Sequence, residues 1–350
     1  MPLIDSNTER LFLVILISVA AVAGVLIFTV DERTSEALTD VEPIFVALFV
    51  AIWLFALVCD AGALALFTRG TGEKIQIFKA MRIATLRIFF NIITPFGFGG
   101  QPFSILSLTR EGVPAGKASS IVIIKLVTLS AIIQIGAMVS FLLYQLQLES
   151  LRFVSTLFYI GGSVGIVFVG LLIAGFLYPR FLIGTFTAIG RLLHFFRLLD
   201  STKILKRKII HEALMARKSF RLYFSKHLGY FLSATALNGA SYFTQLVLLY
   251  AILRGLGIVV PFGDALVLAA ILLFLIMFMP TPGAIGFGEA FFLLLYANVI
   301  PSYMLGIALV LWRFFYHYLS SIFGAISSSQ YIGGMIAGMS GKKKSARPTT

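Results

Sequence analysis

The chain has 350 residues, of which 59% are hydrophobic and 12% are charged, and its mean hydropathy is +0.98. No soluble domain buries that much apolar surface, so the composition predicts an all-α polytopic membrane protein. The formal charge of +13 does not favour nucleic-acid binding, because the cations lie between and beside apolar runs, as cytoplasmic loops require. The single cysteine, Cys59, excludes a disulfide framework and a cysteine-based metal cluster.

Two apolar runs open the predicted fold. Leu11–Val30 is interpreted as a retained first span rather than a signal peptide, because no small-residue cleavage site follows it. The loop over residues 31–42 has five acidic residues and one basic residue, which favours the exterior, and it leads into a second span over Pro43–Phe67. Lysines and arginines between positions 69 and 87 then indicate the cytoplasmic side.

The next segment predicts a helix that is interrupted inside the membrane. From Ile75 onward apolar residues alternate with cations, as in a helix that starts at the membrane surface and dips inward. It reaches Thr94-Pro95-Phe96-Gly97-Phe98-Gly99-Gly100-Gln101, where a proline and glycines disfavour a continuous helix. Residues 102–108 are too short to span, and cations flank both sides. We therefore predict a hairpin over residues 75–109 that enters and leaves by the cytoplasmic face.

The middle of the chain predicts further spans around a basic loop. Ala118–Tyr144 forms the third span, Phe153–Tyr178 the fourth and Gly229–Leu253 the fifth. Residues 180–226 carry eleven lysines and arginines against two acidic residues, which predicts a cytoplasmic loop that can also dock on anionic lipid head groups. The fifth span places three polar residues near one helical face, which favours hydrogen bonds between helices: Asn238, Tyr242 and Gln245.

A second interrupted segment follows the fifth span. Ala265–Phe278 runs inward, breaks at Thr281-Pro282-Gly283-Ala284-Ile285-Gly286-Phe287-Gly288-Glu289 and returns, which predicts a hairpin over residues 264–299. Tyr303–Ile326 is the last span, and the lysines at 342–344 place the C-terminus in the cytoplasm. Backbone broken at membrane depth is tolerated only where it is buried in protein or lines a wet cavity.

The order of these segments predicts one membrane domain, residues 1–350, with about six full spans and an internal inverted repeat. Residues 43–144 and 229–326 each read as span, broken hairpin and span, with opposite orientations. Thr94-Pro95 aligns with Thr281-Pro282, and Gly99-Gly100-Gln101 aligns with Gly286 to Glu289 after a one-residue insertion. Paired breaks in an inverted repeat are typical of transporters, with the substrate between them. Both termini are predicted to be cytoplasmic.

Charged residues near the breaks are the sharpest candidates for function. Glu289 would lie within the bilayer and needs a partner, for which Arg313 is suitable; proton coupling, contact with a cationic head group and a structural ion pair stay open. Arg87 and Lys125 suit a phosphate group, although Arg87 is equally compatible with snorkelling to the interface. Asp60 is expected to act as a cap or to pair with Arg69 or Arg87.

Backbone groups complete the candidate substrate site. Breaks in helices expose N–H groups, so residues 97–101 and 283–288 are expected to offer free donors to a phosphate. The predicted substrate-binding residues are Arg87, Asn91, Thr94, Pro95, Gly99, Gly100, Gln101, Lys125, Thr281, Pro282, Gly283, Gly286, Glu289 and Arg313. The four histidines are scattered without metal-ligand spacing, and there is no P-loop and no nucleophile elbow. We therefore expect no enzyme activity, no catalytic residue, no metal and no cofactor.

The two motifs resemble those of a known family. Asn91-x-x-Thr94-Pro95-x-Gly97-x-Gly99-Gly100, followed by Leu108-Thr109-Arg110-Glu111-Gly112-Val113, resembles the membrane domain of the lysylphosphatidylglycerol synthetase family, whose stand-alone members are also described as flippase-like. Pro280-Thr281-Pro282-Gly283-x-Ile285-Gly286-x-Gly288-Glu289 is similar to its second signature. The resemblance covers nearly the whole chain. It implies an integral membrane fold that, in the bifunctional synthetases, moves an aminoacylated phospholipid between leaflets.

Two positions depart from that family's pattern. A carboxylate commonly follows the first Gly-Gly in the family, whereas this chain has Gln101. An acidic-basic pattern is usual in the next span, whereas this chain has only Lys125. The resemblance is to the translocating half of the synthetases and not to their soluble aminoacyl-transfer domain.

Together the residues and the resemblance favour a flippase-like lipid transporter of the plasma membrane. Its expected partners are membrane lipids, an anionic phospholipid above all, while a homo-oligomer stays open. Two other functions are compatible with the sequence. One is an ion- or proton-coupled carrier of a small solute, and the other is a non-transporting membrane subunit that presents lipid to an enzyme such as a glycosyltransferase.

Overall fold

The computed structural model describes residues 42–97, 99–148, 152–177, 215 and 218–328. Within these ranges every regular element is helical and no strand occurs. The predicted first span Leu11–Val30, most of the basic loop and both chain ends lie outside the described residues.

The first run of helices contains the first Thr-Pro motif. Its elements, in chain order, are α1 (Pro43–Gly70), α2 (Ile77–Ile92), a 3₁₀ turn (Pro95–Gly97), α3 (Gly100–Arg110), α4 (Ala115–Leu148) and α5 (Arg152–Leu177). The interruption predicted at Thr94-Pro95 is therefore present. Helix α4 is longer at both ends than the predicted span Ala118–Tyr144, and it begins directly after Pro114, a residue that suits the start of a helix.

The second run contains the second Thr-Pro motif. Its elements are α6 (218–225), α7 (Leu228–Gly255), α8 (Phe262–Met277), a 3₁₀ turn (Pro282–Ala284), α9 (Phe287–Tyr296) and α10 (Ser302–Ser328). Within α10, residues Phe314–Tyr318 form a π-helical turn. The interruption predicted at Thr281-Pro282 is also present.

The two runs share one succession of helix lengths. Helices α1 and α7 each have 28 residues, and α2 and α8 each have 16. In each run the 16-residue helix is followed by a 3₁₀ turn of 3 residues and then by a short helix. The short helix is α3, with 11 residues, in the first run and α9, with 10 residues, in the second. At 1.5 Å per residue, a helix of 16 residues covers roughly 24 Å, less than the hydrocarbon core of a bilayer.

Four helices are long and apolar enough to cross a membrane: Pro43–Gly70, Ala115–Leu143, Leu228–Gly255 and Ser302–Ser328. They coincide with the predicted second, third, fifth and last spans, and each begins or ends a few residues away from the predicted bounds. The predicted fourth span coincides with α5, whose shorter apolar part is Ser155–Leu171. The chain is thus a multi-pass helical membrane protein.

The two breaks contact each other. Backbone in the left-handed region forms both turns, at Phe96 (φ 56°) and Gly97 in the first and at Gly283 (φ 60°) and Ala284 in the second. The N–H of Phe96 donates to the carbonyl of Pro280 across 3.4 Å. This contact brings the tips of the two interrupted segments to one place.

Buried apolar side chains pack the described helices together in two clusters. Helix α7 packs along α1, and both also contact α4. At one end of α1, the hydroxyl of Tyr223 in α6 donates to the carbonyl of Phe67, and its ring fills the space beside Gly70. Burial raises the pKa of Tyr223, so this hydroxyl stays protonated and able to donate.

Candidate functional site

A cavity of about 170 Å³ lies between helices of both runs. It is lined by α1, α2, α4, α7, α8 and α10 and is mostly apolar. Its polar and aromatic lining residues include Trp53, Asp60, Arg87, Asn91, Ser241, Tyr242, Gln245, Tyr316, His317 and Ser320. A smaller pocket of about 20 Å³ shares Asp60 and Arg87 and adds Gln101 and Lys125, which is room for about one water molecule.

A cluster of three charged side chains lies where the two cavities meet. Asp60 Oδ1 accepts from Lys125 Nζ at 2.5 Å, and its Oδ2 accepts from Arg87 Nη2 at 3.0 Å. The side chain of Asp60 is 10% exposed, that of Arg87 16% and that of Lys125 7%. One carboxylate therefore faces two cations, and the cluster of Asp60, Arg87 and Lys125 carries an excess positive charge. Asp60 and Lys125 lie inside candidate spans, where buried charge is costly.

Asn238 of α7 holds Lys125 in this cluster. Lys125 Nζ donates to Asn238 Oδ1 at 2.8 Å, while Asn238 Nδ2 donates to the carbonyl of Lys125 at 3.1 Å and to Thr128 Oγ1 at 2.9 Å. The predicted hydrogen bonding between helices is confirmed for Asn238. The fully buried amide fixes the ammonium group so that Lys125 has little freedom to move away from Asp60.

Fewer hydrogen-bond donors of Arg87 than of Lys125 are engaged by the protein. Asp60 is its partner among the described residues, and this contact uses Nη2 alone. Because an arginine offers five N–H donors and Arg87 lines both cavities, the Nε and Nη1 edges are available to a group inside them. The expected pairing of Asp60 with Arg87 is confirmed, and Arg87 ends at a buried carboxylate instead of snorkelling to the interface.

Glu289 and Arg313 form a second, separate ion pair. Arg313 Nε lies 2.8 Å from Glu289 Oε1, and the side chains are 1% and 4% exposed. The predicted partnership is therefore confirmed. Glu289 Oε2 also accepts from the N–H of Gly286 at 2.7 Å.

The same arginine ties the second break to the last helix. Arg313 Nη1 donates to the carbonyl of Gly283 and Nη2 to that of Ala284, both at 3.1 Å, and Nη1 lies 3.0 Å from His317 Nδ1. A Cβ atom on Gly288 would collide with this guanidinium, so a larger residue there would displace Arg313 from these contacts. One carboxylate and two carbonyls thus hold the Arg313 guanidinium within the protein, which is the arrangement of a structural clamp.

The first break is held by side chains instead of an ion pair. Thr94 Oγ1 accepts from the N–H of Gly99 at 2.9 Å, Asn91 Oδ1 accepts from the N–H of Gly100 at 2.9 Å, and the N–H of Gly97 donates to the carbonyl of Thr94 at 3.2 Å. A Cβ atom on Gly99 or Gly100 would collide with Thr94 or with Arg87 and Asn91.

The breaks were expected to offer free N–H groups to a phosphate. This expectation is wrong for the N–H groups that already donate to an acceptor within the protein. The donors at Gly97, Gly99 and Gly100 bond within the first break, and those at Ala284 and Gly286 bond within the second. The turns close on themselves because short side chains and carbonyls lie within reach of each donor. A ligand near the breaks would meet side chains instead.

The structure divides the predicted site residues into two groups. Lining the cavities are Arg87, Asn91, Gln101 and Lys125. Thr94, Pro95, Gly99 and Gly100 build the first break, and Thr281, Pro282, Gly283, Gly286, Glu289 and Arg313 build or brace the second. The residues of this second group line neither cavity. His317 links the two groups, because it contacts Arg313 and also lines the larger cavity.

Sequence reasoning undervalued several cavity residues. Asp60 was expected only as a cap or a pairing partner, although an acidic residue inside an apolar run was itself a signal of function. Tyr316 and His317 lie on the π-helical turn, whose wider pitch redirects side chains in a way that a 3.6-residue period does not reveal. Trp53 and Ser320 carried no sequence signal.

Comparison with known proteins places the chain among relatives. The family model described as the lysylphosphatidylglycerol synthase TM region matches residues 15–324, which include both breaks and every charged residue of the site. The chain belongs to this family. A UPF0104 membrane protein of Archaeoglobus fulgidus is similar, with 26% identity over 333 residues that cover 89% of this chain and 94% of the relative.

In this member of the lysylphosphatidylglycerol synthase TM family the two halves use different carboxylates. Lys125 follows Gln101 at the same separation as Arg313 follows Glu289. In the second half the cation pairs with its own short helix, α9. In the first half position 101 is neutral, and the partner comes from Asp60 on α1, which brings Arg87 into the cluster.

Proposed function

We infer that this protein translocates a lipid between leaflets by admitting the lipid head group to the cavity between its two halves. The observation that carries this inference is the excess positive charge of the cluster of Asp60, Arg87 and Lys125. Asp60 and Arg87 line that cavity, and Lys125 lines the smaller pocket that shares both residues. Charged groups inside a membrane are costly and commonly mark a substrate pathway.

The shared succession of helix lengths supports the inverted repeat as part of this proposal. In this repeat, residues 43–144 and residues 229–326 have the same order of segments but opposite orientations in the membrane. The hairpins over 75–109 and 264–299 then enter from opposite faces. Two segments that enter from opposite faces and stop short of spanning meet near the middle, which accounts for the contact between Phe96 and Pro280. Inverted-repeat transporters place their substrate at such a junction. About six full spans and cytoplasmic termini complete this topology.

The size of the cavity favours a lipid whose tails stay outside. Pockets that enclose a drug-sized molecule usually hold roughly 300–1,000 Å³. The volume of about 170 Å³ therefore suits a head group and not a whole lipid. Acyl chains would have to remain in the bilayer while the head group crosses.

The wall between α1 and α10 offers a path for those chains. Trp53 Nε1 donates to Ser320 Oγ at 2.8 Å, and both residues line the cavity. Their neighbours Phe55 and Phe323 are 57% and 48% exposed, as lipid-facing side chains are. Separation of these two helices would open the cavity sideways, a feature that a carrier of soluble solutes does not need.

The proton-coupled carrier is the weaker alternative. Its candidate carboxylate, Glu289, is engaged by Arg313 and Gly286 and lines neither cavity. A subunit that presents lipid to an enzyme would use the same cavity without moving lipid across. As part of the proposal, the protein acts in the plasma membrane on membrane lipids, without a catalytic step of its own or a cofactor.

Reconstitution separates translocation from presentation. Vesicles containing the purified full chain and a trace of fluorescent phosphatidylglycerol are treated with a membrane-impermeant quencher. If the protein translocates lipid, the inner-leaflet label is quenched over time, whereas protein-free vesicles keep it. A lipid-presenting subunit would leave the inner-leaflet label protected, and that result would contradict the proposal.

A further inference from the structure

We propose that the cluster of Asp60, Arg87 and Lys125 is a binding site for one phosphate-type anion, with Arg87 as the residue that contacts it. The ligand class is a phosphomonoester or phosphodiester. The inference rests on the proposed function, because it names the chemistry of the head group that the cavity admits. The same chemistry is available from a lipid head group or from a soluble phosphate ester.

Charge selects an anion over a cation. Asp60 is the one carboxylate that lines either cavity among the described residues, and both of its oxygens are occupied by Arg87 and Lys125. An ammonium head group would find no free carboxylate and would meet two cations. An anion instead compensates the excess positive charge of the cluster.

The contacts of Arg87 leave its guanidinium positioned for binding. Asp60 holds Nη2, so the plane of the group is fixed, while Nε and Nη1 have no protein acceptor among the described residues. The guanidinium fork matches phosphate oxygens and forms charge-assisted hydrogen bonds with them. Lys125 does not share this freedom, because Asp60 and Asn238 both hold its ammonium group.

A buried donor without a partner points to the same cavity independently. Tyr242 is 6% exposed and lines the cavity, and its hydroxyl has no hydrogen-bond partner among the residues that the structure describes. Buried hydroxyls are normally satisfied, so this group is suited to a ligand.

Two further side chains present donors to the cavity. Asn91 lines the cavity, and its Oδ1 accepts from the N–H of Gly100. Its amide nitrogen Nδ2 is therefore the atom that can donate to a ligand. His317 Nδ1 faces the Arg313 guanidinium, which can only donate, so the ring proton belongs on Nε2. The cavity therefore combines a cation with several neutral donors, the usual surroundings of a bound phosphate.

Binding can be read from Trp53, which lines the cavity. The chain has two tryptophans, so replacing Trp312 with phenylalanine makes Trp53 the sole indole. The full chain carrying this replacement is placed in nanodiscs of a neutral glycolipid, which contains no phosphate, and is titrated with phosphatidylglycerol, with diacylglycerol of the same tails and with glycerol phosphate. A saturable change in Trp53 fluorescence with phosphatidylglycerol but not with diacylglycerol is the expected result.

Two variants test the residues. Arg87→Gln removes the fork, and Gln101→Glu adds a carboxylate beside Lys125, at the position equivalent to Glu289. Both are expected to weaken phosphatidylglycerol binding about tenfold or more, the usual scale for losing a hydrogen bond to a charged group. Arg254→Gln, at an exposed arginine in the last turn of α7, is the matched control and should bind normally.

The outcomes separate this inference from the proposed function. Equal binding of diacylglycerol and phosphatidylglycerol, or unchanged affinity in Gln101→Glu protein that melts like the wild type, would overturn the phosphate site. Binding of glycerol phosphate as strong as that of the lipid would support the phosphate site and count against a lipid substrate. Normal lipid binding without translocation would support the site and overturn only the translocation.

Discussion

Two cations in equivalent positions have different surroundings in this protein, and the difference assigns them different tasks. Arg313 forms an ion pair with Glu289, donates through Nη1 and Nη2 to two carbonyls of the second break and lies beside His317, so its guanidinium is engaged within the protein. Arg87 has a single carboxylate contact and an open edge on the cavity. A buried charge with complete pairing stabilises an arrangement, whereas one with spare donors is suited to a ligand.

Removal of the central carboxylate should destabilise the protein strongly. Asp60→Asn leaves Arg87 and Lys125 facing each other without compensation, which typically costs about 3–5 kcal/mol for a buried pair. We expect a clear fall in the melting temperature of the detergent-solubilised protein. Glu111→Gln, which breaks the exposed ion pair with Lys79, should change stability by less than about 1 kcal/mol. Equal melting temperatures for the two variants would contradict the role of Asp60.

Replacement of Glu289 should affect stability and not ligand recognition. Glu289→Gln removes the charge opposite Arg313 but leaves both cavities unchanged, because neither is lined by this residue. We expect a lower melting temperature together with phosphatidylglycerol binding that stays within about twofold of the wild type, well below the tenfold steps of direct contacts. A folded variant that loses binding would show that Glu289 belongs to the site.

Sequence patterns identify a charged pair within one half more easily than a cluster between helices. Arg313 was predictable as the partner of Glu289, because a carboxylate within the membrane needs a partner and Arg313 is the charged residue of the last predicted span. The cluster was only partly predictable, since Asp60 meets Lys125 through the packing of α1 against α4. Tertiary packing decides such contacts, and no periodicity in the sequence records them.

At the scale of elements, the breaks are close-packed and depend on glycine. At Gly100 a Cβ atom would strike the carbonyl of Arg87 and the side chain of Asn91. That backbone atom cannot rotate away, so the interrupted hairpin has to shift if a larger residue is introduced there. Because Gly100 packs against the backbone of Arg87, the first break and Arg87 are held in a fixed relation to each other.

Gly100→Ala tests this packing directly. We expect a loss of about 1–3 kcal/mol, the usual cost of overpacking, seen as a lower melting temperature. Gly170→Ala is the matched control, because a Cβ atom there meets nothing within 4 Å and alanine favours a helix. If the two variants melted alike, the first break would be looser than these contacts indicate.

The wall between α1 and α10 can be tested by tethering. In a Cys59→Ala background, cysteines replace Trp53 and Ser320 and are joined by a cleavable bifunctional thiol reagent. Translocation should stop in the tethered protein and return after cleavage, because the acyl chains cannot pass between the tethered helices while the head group crosses. Single-cysteine variants treated with the same reagent serve as controls. Undiminished translocation in the tethered protein would rule out this exit.

Element types were predictable because proline, glycine and apolar length act locally. The four candidate spans and both interruptions follow from those signals. The closing of the turns on their own N–H groups and the π-helical turn in α10 were not predictable, since each depends on which side chains lie within reach in three dimensions.

At the scale of the whole molecule, the inverted repeat predicts which residues face each side of the membrane. In a Cys59→Ala background, Gly263→Cys at the start of α8 should react with a membrane-impermeant thiol reagent from outside. Lys74→Cys, in the exposed connection between α1 and α2, should react only from inside. Reaction of both from the same side would contradict opposite orientations of the two halves.

The central claim is that a phosphate-bearing lipid head group crosses through the cavity in contact with Arg87. The most direct measurement compares phosphatidylglycerol translocation by vesicles holding equal amounts of wild-type, Arg87→Gln or Arg254→Gln protein. We predict that Arg254→Gln matches the wild type and that Arg87→Gln is about tenfold slower or more, the scale of one lost charge-assisted contact. Wild-type protein no faster than empty vesicles, or Arg87→Gln protein as fast as the wild type, would contradict the claim.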